Sequence, residues 1–216
     1  MITSDVKTSL RTYVHSKKMR QFLCRKGTLI SHTYACIDWQ ANGKALKSMS
    51  FGERIWVTKF VSGFNGCAKM MIIYKQWESD MCPQYGNCTE SNWHVLWCTG
   101  MKAKSQRHQL TVNIDTWMKE NQTHPALHRL ITMVLQQSDS TSFSKYARGN
   151  LVPQITALAQ EQDVIGIQNV FHGRISRKWS ALQDQHLRLN VARSRRSGTS
   201  WAAGMIRMIY RWSHSQ

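Results

Sequence analysis

Within seventeen positions the chain carries Cys82, Cys88, His94 and Cys98, four side chains of the types that hold soft or borderline metal ions. Two thiolates, an imidazole and a third thiolate make a donor set suited to tetrahedral Zn²⁺. His94 and Cys98 stand four residues apart, so they share one face if Ser91 caps a helix at this point. Cys82 and Cys88 then come from the turn before that helix. The usual first half of such a site is two cysteines separated by two residues, and the second of those positions is Tyr85 here. Cys88 must therefore reach back across a wider loop. Gly86 and Asn87 ease that turn because both tolerate positive φ. The same residues also fit a plainer role, in which three reduced cysteines pack as small hydrophobes.

The elements that would position this segment read as helices. Val6, Leu10, Tyr13 and Val14 form one apolar stripe, Asp38 can cap a helix starting at Trp39, and Ser50 with Glu53 forms a capping box. Cys67, Met70, Met71, Tyr74 and Trp77 follow at helical spacing and lead into the cysteine segment. Leu110, Ile114, Trp117 and Met118 make the next stripe, and Pro125 opens a helix through Leu127, Leu130, Ile131, Val134 and Leu135. Beyond the polar run Ser138 to Ser142, Asp163 is expected to cap a helix carrying Val164, Ile167 and Phe171, which ends at Gly173. Ile175, Trp179, Leu182, His186 and Leu189 mark a further helix, and Trp201, Met205, Met208, Ile209 and Trp212 a last one. No alternating strand stands out. These patterns predict an all-α fold, a helical bundle-like array with a small zinc-knuckle-type insertion at 82–98. Two regions are expected, 1–137 and 143–216, with Leu127, Ile131, Leu135, Trp179, Leu182 and Trp201 in the core.

The Cys-Pro opening, the acidic residue ahead of His94-Val95-Leu96-Trp97-Cys98, the "THPALHRLI" segment and the later run "DVIGIQNVFHGRISRKW" resemble reading frames related to the reverse transcriptases of non-LTR retroelements. The likeness also touches Asp38-Trp39, residues 59–75 and the tail to Trp212. It implies a Cys/Cys/His/Cys zinc-binding segment followed by a helical region, and it touches about three quarters of the chain. Its specific motif is the cysteine core. Tyr85 departs from that pattern, as it would in a decaying or truncated copy, and the chain stops while its last helical stripe is still running.

Charge limits the function classes. The chain has a formal net charge of +17, and its ends carry it: thirteen Lys/Arg against three acids in residues 1–75, and nine against one in residues 173–216. Residues 76–100 contain three acids and no Lys or Arg. A phosphate backbone is expected on the ends, away from the knuckle. The candidate contacts are Lys17, Lys18, Arg20, Arg25, Lys26, Arg174, Arg177, Lys178, Arg193, Arg195 and Arg196. Partners are RNA or DNA read with low specificity. Twelve scattered acids give no paired carboxylates for two-metal chemistry, Gly63-Phe64-Asn65-Gly66 lacks the Lys-Ser/Thr of a phosphate loop, and no Gly-x-Ser-x-Gly elbow occurs, so no catalytic residues are expected. With no membrane-length apolar run and no secretory leader pattern, six cysteines point to a reducing, intracellular setting, which includes the nucleus. The alternative to a zinc-holding nucleic-acid binder is a metal-free helical scaffold or interaction protein, or a remnant without retained activity.

Overall fold

The computed structural model describes residues 16–27, 29–136, 142–147, 153–190 and 197–214. Among these residues the regular structure is helical, apart from two-residue bridges, so the fold is all-α. The first apolar stripe, Val6 to Val14, lies outside them, as does most of the polar run after Gln136.

The chain separates into two compact units, residues 1–37 and 38–216. In the first unit, α1 (residues 16–25) runs to a turn at Gly27, whose φ is +67°. Then comes α2 (Ser31–Cys36), whose start is closed by Thr33: its hydroxyl accepts from Ile30 N at 3.2 Å and donates to Ile30 O at 2.8 Å.

The second unit contains α3 (Trp39–Lys47), α4 (Phe51–Ser62), α5 (Ala68–Ile73), α6 (Asn92–Trp97), α7 (Met101–Glu120) and α8 (Pro125–Gln136). It continues through α9 (Ser144–Ala147), α10 (Pro153–Ile165), α11 (Ile167–Phe171), α12 (Arg177–Asn190) and α13 (Gly198–His214). Local chemistry sets several boundaries. Asp38 Oδ1 accepts from Ala41 N at 2.8 Å, and Ser50 and Glu53 exchange the two bonds of a capping box. Pro125 stands first in α8, where a missing N–H costs nothing.

The core of this unit is built around α13. Trp201, Ala202, Met205, Ile206, Ile209, Tyr210 and Trp212 are buried, and the helix packs on α3, α7, α11 and α12. Two glycines permit that approach: a Cβ at Gly204 would stand 2.5 Å from Trp117 Cζ2, and one at Gly198 would collide with the Ser180 carbonyl. Leu127, Ile131, Leu135, Trp179, Leu182 and Trp201 are all buried, as their spacing predicts.

The division expected after residue 137 does not appear. Helices on both sides of the polar run, α3, α4 and α6 to α8 before it and α9 to α13 after it, contribute to one hydrophobic core, and the units part at Ile37 instead. Other expectations give way to tertiary contacts. The stripe from Cys67 to Trp77 stops early: α5 ends at Ile73, and Tyr74 and Trp77 are exposed. Asp163 lies inside α10 and caps another helix, accepting from Ser144 N at 2.9 Å and from Ser142 Oγ at 2.7 Å at the start of α9. Leu189 is exposed on α12, and Leu187 is buried in its place. No described helix is long and apolar enough to cross a membrane.

Candidate metal centre

The cysteine segment folds as a short antiparallel turn followed by one helix. Met81 bridges Thr89, Cys82 N donates to Cys88 O at 2.8 Å, and Glu90 N donates to Asp80 O at 2.7 Å. The tip closes through Tyr85 N and Gly86 N, both donating to Cys82 O, with Gly86 at φ +70°. Cys82 and Cys88 therefore stand directly opposite each other across the ladder. Tyr85, at the position where a two-residue cysteine spacing would place its second cysteine, is half-exposed. Ser91 caps α6 by accepting from His94 N at 3.1 Å, and α6 carries His94 on its first turn and ends at Cys98.

The ligand atoms of Cys82, His94 and Cys98 all lie within 4.8 Å of one another, a group that can hold a metal ion. The sulfurs of Cys82 and Cys98 are 3.7 Å apart. The sulfur of Cys88 lies 3.6 Å from His94 Nδ1 and 3.7 Å from Nε2. With Zn–S bonds of about 2.3 Å and Zn–N bonds of about 2.0 Å, a tetrahedron has S···S edges of about 3.8 Å and S···N edges of about 3.5 Å. The Cys82–Cys98 edge thus already has metal-site length, whereas the Cys88 sulfur, nearly equidistant from both ring nitrogens, lies at the edge of the imidazole and off the line of either lone pair. Cys88 stands outside the tight triangle and joins the centre through His94 and through its packing on Cys82, Cys98 and Ala103. Burial pushes the Cys98 thiol up, the Gly100 N–H pulls it down, and neighbouring Cys82 and Cys88 push it up again.

The surroundings hold these groups in place. Gly100 N donates to Cys98 Sγ at 3.4 Å, the kind of N–H···S bond that orients a ligating sulfur. A Cβ at Gly100 would stand 2.8 Å from Gln84 Oε1, which itself accepts from Ala103 N at 3.3 Å, so a larger residue here would have to displace the Gln84 side chain. Arg107, 6% exposed on α7, donates through Nη1 to Cys98 O at 2.9 Å and to Leu96 O at 3.2 Å, with its guanidinium 6.0 Å from the Trp97 ring. Glu90 ties the turn to α5 by accepting from Ala68 N at 2.7 Å. Trp93 and Trp97 fill the core with Phe171, and Phe171 in turn meets Trp212, at ring centroid distances of 5.1 to 6.0 Å.

Arg107, Gln84 and Glu90 do not emerge from the metal-ligand pattern. For Arg107 a signal exists: Ala103, Arg107, Thr111, Ile114 and Met118 fall on one buried face of α7, where a charge demands a partner.

The candidate nucleic-acid contacts differ in burial and pairing. Lys17, Lys18, Arg20, Arg25 and Lys26 are exposed on and just after α1. Arg174 departs from the expected exposed face: it is 4% exposed, lies before α12, and donates to Asn169 Oδ1 at 2.7 Å. Burial lowers the pKa of its guanidinium from its ordinary value. Arg177 is exposed, whereas Lys178 pairs with Glu161 at 3.1 Å. Arg193, Arg195 and Arg196 lie outside the described residues. The chain matches no protein-family profile, no curated protein and no solved structure.

Proposed function

We propose that this chain is a non-enzymatic helical protein in which Cys82, Cys88, His94 and Cys98 hold a structural Zn²⁺, and which binds RNA or DNA mainly through phosphate charge. The observation that carries the first half is the convergence of Cys82, His94 and Cys98 with the Cys82–Cys98 edge at 3.7 Å. Three thiolates and an imidazole favour Zn²⁺ over the hard cations, which prefer oxygen. Four protein ligands leave no open position for substrate or water, so the metal's work is to join the turn, α6 and the start of α7. Cys88 completes the set by moving its sulfur from the edge of the imidazole toward the centre of the triangle. The resemblance to reverse-transcriptase-related reading frames of non-LTR retroelements supplies an origin consistent with this assignment.

The nucleic-acid half rests on the +17 charge and on its concentration away from the cysteine turn. Phosphate neutralisation releases counterions and gives salt-dependent, weakly selective binding. Metal analysis of the purified protein tests the first half: one Zn per chain, lost on Cys98→Ser, is expected, and a metal-free protein of unchanged stability refutes it. Titration against scrambled RNA and DNA at two salt concentrations tests the second. Salt-insensitive or undetectable binding would return the protein to a scaffold role.

A further inference from the structure

Residues 16–37 contain Lys17, Lys18, Arg20, Arg25 and Lys26 and no aspartate or glutamate. Such a single-sign field has no internal partner among the unit's described residues, and the fold gives it a concave shape. Lys17, Arg20, Cys24 and Arg25 recur at three-, four- and eight-residue separations along α1, which puts them on one flank of the helix. That flank faces Ser31 and Tyr34 of α2 across a cleft of about 800 Å³. The Tyr34 hydroxyl donates to Ser16 O at 3.2 Å, tying the far wall to the start of α1. Burial pushes that hydroxyl's pKa up, and the charge of Arg20, which lines the same cleft, pulls it back. Two cations do not line the cleft: Lys18 is turned away, and Lys26 lies over the Phe22 ring at 5.8 Å.

From this geometry we infer that the α1–α2 cleft is a groove for single-stranded nucleic acid, with phosphates on Lys17, Arg20 and Arg25 and Tyr34 as an aromatic wall. The inference rests on the nucleic-acid reading above and gives it a location. Guanidinium groups recognise phosphate through paired N–H donors, and a cleft lined by charges of one sign concentrates their field. Lys17 and Arg25 are separated by about 12 Å along the helix axis at about 1.5 Å per residue. A single strand can enter such a concavity with its backbone on the cations and a base toward the aromatic wall. A duplex carries its phosphates on a convex surface and can meet only the rim. A membrane surface is the weaker fit, because the exposed apolar residues of α1, Met19 and Phe22, are not part of the cleft.

Cys24 lies in the cleft and provides a local reporter. The test uses the full chain, a fluorescein-labelled single strand of scrambled sequence, the matching duplex, and phosphatidylserine vesicles. Fluorescence anisotropy is measured across a salt series for the wild type and for K17Q/R20Q/R25Q, a variant that keeps good helix formers at exposed positions. The expected result is a log K against log salt slope shallower by about 2 in the variant, from about 0.7 for each of three single-strand phosphate contacts. Alkylation of Cys24 by iodoacetamide, followed by peptide mass spectrometry, should slow several-fold with the single strand and remain unchanged with the duplex. If the variant misfolds by circular dichroism, the Cys24 protection of the wild type decides alone. A wild-type slope with Cys24 unprotected overturns the site while leaving nucleic-acid binding elsewhere intact, whereas absence of any binding overturns both. Protection by vesicles and not by the strand would assign the cleft to lipid and overturn the inference.

Discussion

Arg107→Met is the most informative perturbation of the candidate metal centre, because it removes a group that touches no metal ligand side chain. Arg107 makes two hydrogen bonds to carbonyls at the end of α6, at 2.9 Å to Cys98 O and 3.2 Å to Leu96 O. Hydrogen bonds from a charged group contribute about 1.5–3 kcal/mol each. The gross loss is therefore about 3–6 kcal/mol, with roughly a further 0.5–2 kcal/mol for the contact with Trp97. Burying a guanidinium itself costs several kcal/mol, which the methionine does not incur, so the net loss is expected to be about 2 kcal/mol. The two carbonyls are then held only by their neighbours, and Cys98 loses its fixed direction. Groups that orient ligands in this way typically contribute about 10- to 100-fold in metal affinity. A competition titration with a chromophoric zinc chelator reads the affinity, and urea unfolding with and without Zn²⁺ reads the stability. Arg107→Lys should recover part of both, since an ammonium can reach one carbonyl. Wild-type zinc affinity in Arg107→Met, or a stability loss that is the same with and without metal, would refute the coupling between this side chain and the centre.

Leu127 is fully buried, so Leu127→Ala should cost about 2–5 kcal/mol by denaturant unfolding with little change in zinc content. Gly173 adopts φ +68°, and a Cβ there would stand 2.7 Å from Asn42 Nδ2 and collide with the Tyr210 hydroxyl. Gly173→Ala should therefore lose about 1–2 kcal/mol from the backbone alone, and more from the Asn42 and Tyr210 hydrogen bonds, in a thermal melt. His172 packs edge-on against Phe60 with Nδ1 unpartnered, and burial first, then Arg174, pushes its pKa from 6.5 down to about 3. Its depressed value means the unfolded chain takes up the proton first, so stability is intact above about pH 6.5 and falls as pH drops toward 3. The loss from this group should be about 2 kcal/mol at pH 5, and His172→Met should remove that part of the pH dependence in urea titrations.

Helix positions were legible wherever the deciding contacts are three or four residues apart. Asp38 under α3, the Ser50–Glu53 box, Ser91 over His94 and Pro125 at the head of α8 each act within one turn, and each falls where its spacing places it. Gathering Cys82, His94 and Cys98 is of the same kind, because a short turn and a one-and-a-half-turn helix leave few other ways to arrange them. The placement of Cys88 is less local. Its sulfur depends on how the 82–88 loop crosses the ladder, and the structure leaves it at the edge of the imidazole.

What the sequence determined by itself is the helical class, most core stripes and the cysteine–histidine cluster, since these depend on periodicity and on groups close along the chain. The tertiary structure decided which polar groups are buried and who partners them. Asn42 donates to Gly173 O across 131 residues, Ser180 meets Asp38 across 142, and Asn42 reaches Tyr210 across 168. Arg174 was withdrawn from the basic face into a buried bond with Asn169, and Asp163 was drawn from its own helix to cap α9. A buried donor must find an acceptor wherever the packed chain presents one, and that depends on the crossing of helices far apart in sequence. Local pattern can say that Arg107 lies on a buried face. Only the packing of α7 against the end of α6 says that its partners are the carbonyls of Leu96 and Cys98.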